Sequence, residues 1–135
     1  MSPTLKNILA IVAGVILGGL VNSSLINIGS NFIAPPDGVD PMDLESIKTN
    51  ADLYTAKHFV VPLIAHAFGT LLGSFVAVRF SADRALSQAM VVGVFFMIGG
   101  LVMAFMLPDF WIASIVDLLL AYFPMAWLGH RLGTK

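Results

Sequence analysis

The sequence predicts an all-α integral membrane protein, an antiparallel four-transmembrane-helix bundle with one long extracytoplasmic loop, and three observations carry that prediction. The first is composition: 58% of the 135 residues are hydrophobic and 11% are charged, with a mean hydropathy of +0.90, whereas soluble domains carry roughly 25% charged residues. A soluble domain of this length buries only about two-thirds of its chain, so the remaining apolar surface calls for lipid as its solvent. Second, apolar runs at about 5–28, 58–79, 86–107 and 110–128 approach the ~20 residues that cross a ~30 Å hydrocarbon core at ~1.5 Å per helical residue. Third, the polar residues collect between the runs, above all in the stretch 29–57. There is room for a single domain, residues 1–135, and for no more than four crossings.

Several function classes fall away at once. The formal net charge is −1 and the seven Lys and Arg residues are scattered, so no basic field exists to hold nucleic acid. The chain has no cysteine, which removes disulfides, thiolate nucleophiles and Cys-ligated zinc or iron–sulfur centres.

The first run follows a short polar lead containing Lys6. It is long, and Asn22-Ser23-Ser24-Leu25-Ile26-Asn27 towards its end is a poor cleavage signal, so it is expected to be a retained helix. Gly14, Gly18 and Asn22 recur every four residues on one face, a small-xxx-small groove leading to an amide. The loop 29–57 opens with the turn signal Pro35-Pro36-Asp37-Gly38, and Asp37, Asp40, Asp43, Glu45 and Asp52 outnumber its Lys48 and Lys57. Asp40-Pro41 is expected to cap a short helix. The acids lack the ligand spacing of an EF-hand loop, so no metal is expected among them.

The second run is the centre of the chain. Within it His66, Gly69, Thr70, Gly73 and Ser74 follow at steps of three and four, and on a helix they form one narrow small or polar face that seeks protein contacts. Phe80-Ser81-Ala82-Asp83-Arg84 is a tight connection in which Ser81 is expected to cap the third helix. The third run is almost wholly apolar but holds Gly93, Gly99 and Gly100. Pro108-Asp109 breaks the chain before the fourth, with Asp109 as the expected cap, and Pro124 is expected to kink its far half by freeing the carbonyl of Leu120. Tyr122 beside the kink is either a polar lining residue or an interfacial ring. Trp111 and Trp127 stand at the two expected interfaces.

Lys6, Arg79, Arg84, Arg131 and Lys135 lie at the termini and in the second connection, while the first loop is acidic. The positive-inside rule then puts both termini in the cytoplasm, in a membrane of bacterial inner (plasma) type, and the loop outside. Counted from that outer side, His66 is about eight residues into the second span and Asp117 about seven into the fourth, a depth of ~10–12 Å for both. Asn22, Gly99 and Gly100 come to a similar level. The expectation is a buried polar layer of His66, Asp117 and Asn22, with His58 at the outer mouth. A carboxylate so deep costs a few kcal/mol unless paired, and His66 is its natural partner.

Gly69-Thr70-Leu71-Leu72-Gly73-Ser74-Phe75 resembles the second-helix pattern of the small four-helix fluoride channels, which have about this length. The match covers one helix; the asparagine between that family's threonine and its glycine-serine is missing, as is its third-helix break, so the family is not assigned.

Two functions stay open from the residues alone. One is an ion-, proton- or small-solute-conducting module built around the His/Asp layer. The other is a non-catalytic accessory or scaffold protein in which the same groups only fix packing. No cofactor is expected, since His58 and His130 lie at other depths than His66 and cannot join it in bis-His haem ligation. No enzyme is expected either, because neither Ser74 nor Ser114 has a basic partner placed by spacing. The expected partners are the lipid bilayer and either further copies of the chain or another membrane subunit.

Overall fold

The structure, a computed structural model, describes residues 1–135. It is helical throughout, with α1 (Pro3–Gly29), α2 (Leu44–Thr49), α3 (Val60–Phe80), α4 (Leu86–Met106), α5 (Trp111–Leu120) and α6 (Phe123–Gly133). Short 3₁₀ turns lie at Ala51–Leu53, Ala56–Phe59 and Pro108–Phe110. Four segments are long and apolar enough to cross a membrane: Pro3–Gly29, Ala56–Phe80, Leu86–Met106 and Pro108–Gly133.

The packing puts small residues inside and large apolar side chains outside. Only 21 residues are buried, and most are Ala, Gly, Ser or Thr, while large apolar side chains such as Ile16, Leu20, Phe95, Ile98 and Leu119 point outward at more than half exposure. Small residues at the contacts let backbones approach, which is how helices associate where burying apolar surface gains nothing. The helix α3 is central and touches α1, α4 and α6. Gly14 faces Gly73 and Gly18 faces Gly69, so residue numbers fall along α3 as they rise along α1. A methyl built on Gly69 would lie 2.8 Å from the Gly18 carbonyl oxygen, and one on Gly73 would lie 2.7 Å from that of Gly14. Ser74 donates its hydroxyl to the Ala89 carbonyl of α4 at 3.2 Å, and Gly129 of α6 packs its bare Cα on Leu71 and Ser74.

One end of the molecule gathers the start of α1, the 81–85 connection and the end of α6. Asn7 Oδ1 accepts the Ala82 N–H at 2.7 Å, and Gly133 packs on Phe75 and Val78. At the other end Tyr54, Phe59 and Phe110 form an aromatic cluster with centroids 5.0–6.1 Å apart, and burial there pushes the Tyr54 phenol up from its ordinary value.

Local details differ from expectation where side chains choose among neighbouring backbone donors. Asp43, not Asp40, caps α2 by accepting the Glu45 N–H; Asp40 instead closes a tight turn onto Met42. Gly38, at φ +80°, occupies the left-handed position of the turn closed by Val39 N–H on the Pro36 carbonyl. Ser81 does not cap α4, which begins five residues later; its hydroxyl accepts the Arg84 N–H and donates to Val78, folding the connection. Asp109 lies within a 3₁₀ turn and caps nothing; Phe110 precedes α5 without a side-chain bond.

The largest departure is the fourth segment. It is broken outright at Ala121-Tyr122, where Tyr122 leaves helical geometry with φ −112° and ψ −80°. Pro124 is the cause, since it has no N–H for Leu120 and its ring would clash with that carbonyl. The helix restarts with Pro124 in the first turn of α6, where the missing donor costs nothing.

Candidate functional site

Three side chains from two segments converge beside the break. His66, one turn and a half into α3, points its Nδ1 at Asp117 of α5, 2.8 Å from Oδ1 and 2.9 Å from Oδ2. Tyr122 donates its hydroxyl to Asp117 Oδ2 at 2.6 Å and lies 3.4 Å from His66 Nδ1, its ring stacked on the imidazole with centroids 6.1 Å apart. A carboxylate is acceptor-only, so Asp117 takes both donors and fixes the proton of a neutral His66 on Nδ1. All of His66's bonds use that nitrogen. Nε2 keeps its lone pair.

Tyr122 is the member that sequence spacing does not place. It follows Asp117 by five residues, and five steps of ~100° put two side chains about 140° apart on an unbroken helix. The break at Ala121-Tyr122 removes that rotation and lets the phenol fold back. The available signal was Pro124 next to the one tyrosine of the apolar segments.

His66 and Asp117 meet, but the layer they form is not buried as expected. Their side chains keep 27% and 16% of their surface accessible. The reason lies beside the imidazole, where Gly99 leaves its position open on a cavity of about 230 Å³ that Gly69 and Gly100 also line. Gly99 has open space above its Cα, whereas Gly100 is filled by the Tyr122 ring, whose Cζ would lie 2.8 Å from an added methyl. Tyr122 itself is 2% exposed. Asn22, Phe96 and Met103 complete the wall, and Asn22 Oδ1 is buried without a hydrogen-bond partner.

The remaining residues singled out by spacing have mainly packing surroundings. Gly14, Gly18, Gly69 and Gly73 form the α1–α3 contact, and Ser74 bonds to α4. Thr70 is fully buried, and its hydroxyl has no partner. His58 lies outside the cavity wall: its Nδ1 accepts the Thr55 N–H at 2.9 Å, closing a capping box ahead of α3, and its ring meets Tyr54 edge-on. No three His, Cys, Asp or Glu side chains come together as a metal site.

The site thus places an imidazole, a carboxylate and a phenol beside a cavity that Asn22 also lines. No protein family matches the chain, and neither a curated protein nor a solved structure is similar to it.

Proposed function

We propose that the chain is a small integral membrane protein, a non-catalytic ion- or proton-conducting module whose protonation site is His66 with Asp117 and Tyr122. In this reading the four segments form an antiparallel bundle across a bacterial inner membrane. Lys6, Arg79, Arg84, Arg131 and Lys135 mark the cytoplasmic end, and the acidic 29–57 loop lies outside. The observation that carries the reading is the cavity. An imidazole–carboxylate pair that only clamped two helices would be expected in a dry, filled layer, but here it keeps a partly accessible imidazole against about 230 Å³ of open space. Ionisable groups at membrane depth that face a cavity are the usual elements of ion and proton paths.

A second reading, that of an accessory or scaffold protein, is favoured by the bonds of 2.6–2.9 Å around Asp117, which tie α3 to the fourth segment. Interhelical bonds of this kind contribute about 0.6–2 kcal/mol in a membrane. Flux separates the two. Purified protein in liposomes carrying an internal pH dye, challenged with a panel of monovalent cations and anions, is expected to pass protons or one ion class above empty liposomes. A trace identical to empty liposomes for every species would leave the scaffold reading. Further copies of the chain are the expected neighbours in the bilayer, since large apolar faces of α1 and α4 remain uncovered.

A further inference from the structure

The two halves of the fourth segment are held to the bundle in different ways. α6 is seated on α3: Ala126, Gly129 and Gly133 are buried, and methyls built on Gly129 and Gly133 would stand 2.6 Å and 3.0 Å from the Leu71 and Phe75 carbonyl oxygens. Tyr122, at the break itself, is wedged against α4, where its ring fills the space at Gly100 and its carbonyl oxygen lies 3.7 Å from a methyl built on Gly93. α5 has no such seat. Alone among the membrane helices it has no buried residue, and six of its ten residues are exposed. Its contacts with α4 and α3 are made by residues that stay partly exposed.

The backbone carries no rigidity across the break either. The last turn of α5 closes with the Ala121 N–H on the Asp117 carbonyl, the first of α6 with the Ala126 N–H on that of Tyr122, and no hydrogen-bonded turn spans Ala121-Tyr122. A junction that can change φ and ψ without losing a helical bond is what a hinge needs. Two ties hold α5 in place. Of its ten residues only Asp117 makes a side-chain hydrogen bond, to His66 of α3 and to Tyr122 at the break. Just before its start Phe110 packs on Tyr54 and Phe59, with ring centroids 5.1 and 5.0 Å apart. Few buried contacts and few bonds mark a segment that opens separately from its surroundings. We propose that α5 is a hinged half-helix that pivots at Ala121-Tyr122 while α6 stays seated, and that Asp117 is the latch holding it against His66. Ten residues at ~1.5 Å each make a lever of roughly 15 Å, so a change of ~20° at the break, the size of an ordinary proline kink, carries the Trp111 end about 5 Å outward. Opening breaks the Asp117–His66 bond, and closing remakes it.

The chain has no cysteine, so nitroxide pairs can be placed at will on the full-length protein in detergent. Ile16, Ile112 and Leu132 are exposed positions of α1, α5 and α6. Pulsed electron–electron distances are measured for Ile16→Cys with Ile112→Cys and for Ile16→Cys with Leu132→Cys. In Asp117→Ala the Ile112 distribution is expected to broaden and to move by about 5 Å, while the Leu132 distribution keeps its wild-type position. In the wild type, amides of 113–120 are expected to exchange with deuterium faster than those of 125–131, and this measurement decides alone should Asp117→Ala fail to fold. An unchanged Ile112 distribution in folded Asp117→Ala, an equal shift at Leu132, or α5 amides as protected as those of α6 would overturn the proposal. The hinge does not depend on the conducting reading, since a scaffold protein can carry one too. Distances and exchange read movement and liposome flux reads conduction, so either claim can fail without the other.

Discussion

At the scale of single residues, Asp117 is the group on which the site depends. It accepts from His66 and from Tyr122, so removing either donor leaves a partly shielded carboxylate short of partners, and removing the carboxylate strands two donors. Asp117→Asn and His66→Gln are each expected to lower the melting temperature in detergent, and the double variant to recover part of the loss, as for residues in direct contact. Tyr122→Phe is expected to cost about 1–2 kcal/mol, the range for a bond to a charged group shared with a membrane setting. Additive effects in the double variant would mean that the imidazole and carboxylate act separately. The pairing of His66 with Asp117 was legible in the sequence, because counting residues inward from one surface puts both at one depth. Tyr122 was not, since helical spacing argues against it and only the backbone break reverses that argument. The accessibility of the pair was also illegible: periodicity marks Gly99 and Gly100 as small, and says nothing of whether a neighbour fills the space they leave.

At the scale of elements, the small-residue faces of α1 and α3 were each readable from their spacing, and the structure adds that the two faces meet and which glycines are needed. Gly18 and Gly19 are adjacent in sequence but opposite in role. A methyl on Gly18 would stand 2.5 Å from the Gly69 carbonyl oxygen and 2.9 Å from the Phe96 ring, whereas one on Gly19 meets nothing within 4 Å. Gly18→Ala is therefore expected to destabilise by about 1–3 kcal/mol through overpacking, and Gly19→Ala to be neutral or stabilising by about 0.5–1 kcal/mol through backbone entropy. Thermal melts of the two variants in one detergent check the pair, and equal melting temperatures would contradict the α1–α3 register. The caps were the least legible elements. Asp40, Asp43, Ser81 and Asp109 are all competent caps by type, and which backbone N–H each meets depends on the path of the connection rather than on local sequence.

At the scale of the whole molecule, the apolar runs placed the four long segments to within a few residues, except that the last extends to Gly133 and is split in two. Hydropathy registers length and composition, and a proline break inside an apolar run leaves both unchanged. The orientation proposed for the bundle puts the acidic loop and the C-terminus on opposite sides of the membrane. The chain contains no cysteine, so single-cysteine variants Glu45→Cys and Lys135→Cys can be labelled in intact cells with an impermeant maleimide. Labelling of residue 45 alone is expected, and labelling of both or of residue 135 alone would contradict the topology.

The claim that the site conducts, rather than clamps, is tested most directly by proton flux in liposomes reconstituted with equal amounts of folded wild-type, Asp117→Asn and Tyr122→Phe protein. The account predicts flux in the wild type that the internal pH dye resolves from empty liposomes. It predicts loss of that flux in Asp117→Asn, where His66 Nδ1 has lost its carboxylate partner, and a partial loss in Tyr122→Phe, where the carboxylate remains. Wild-type flux that persists undiminished in folded Asp117→Asn protein would contradict it.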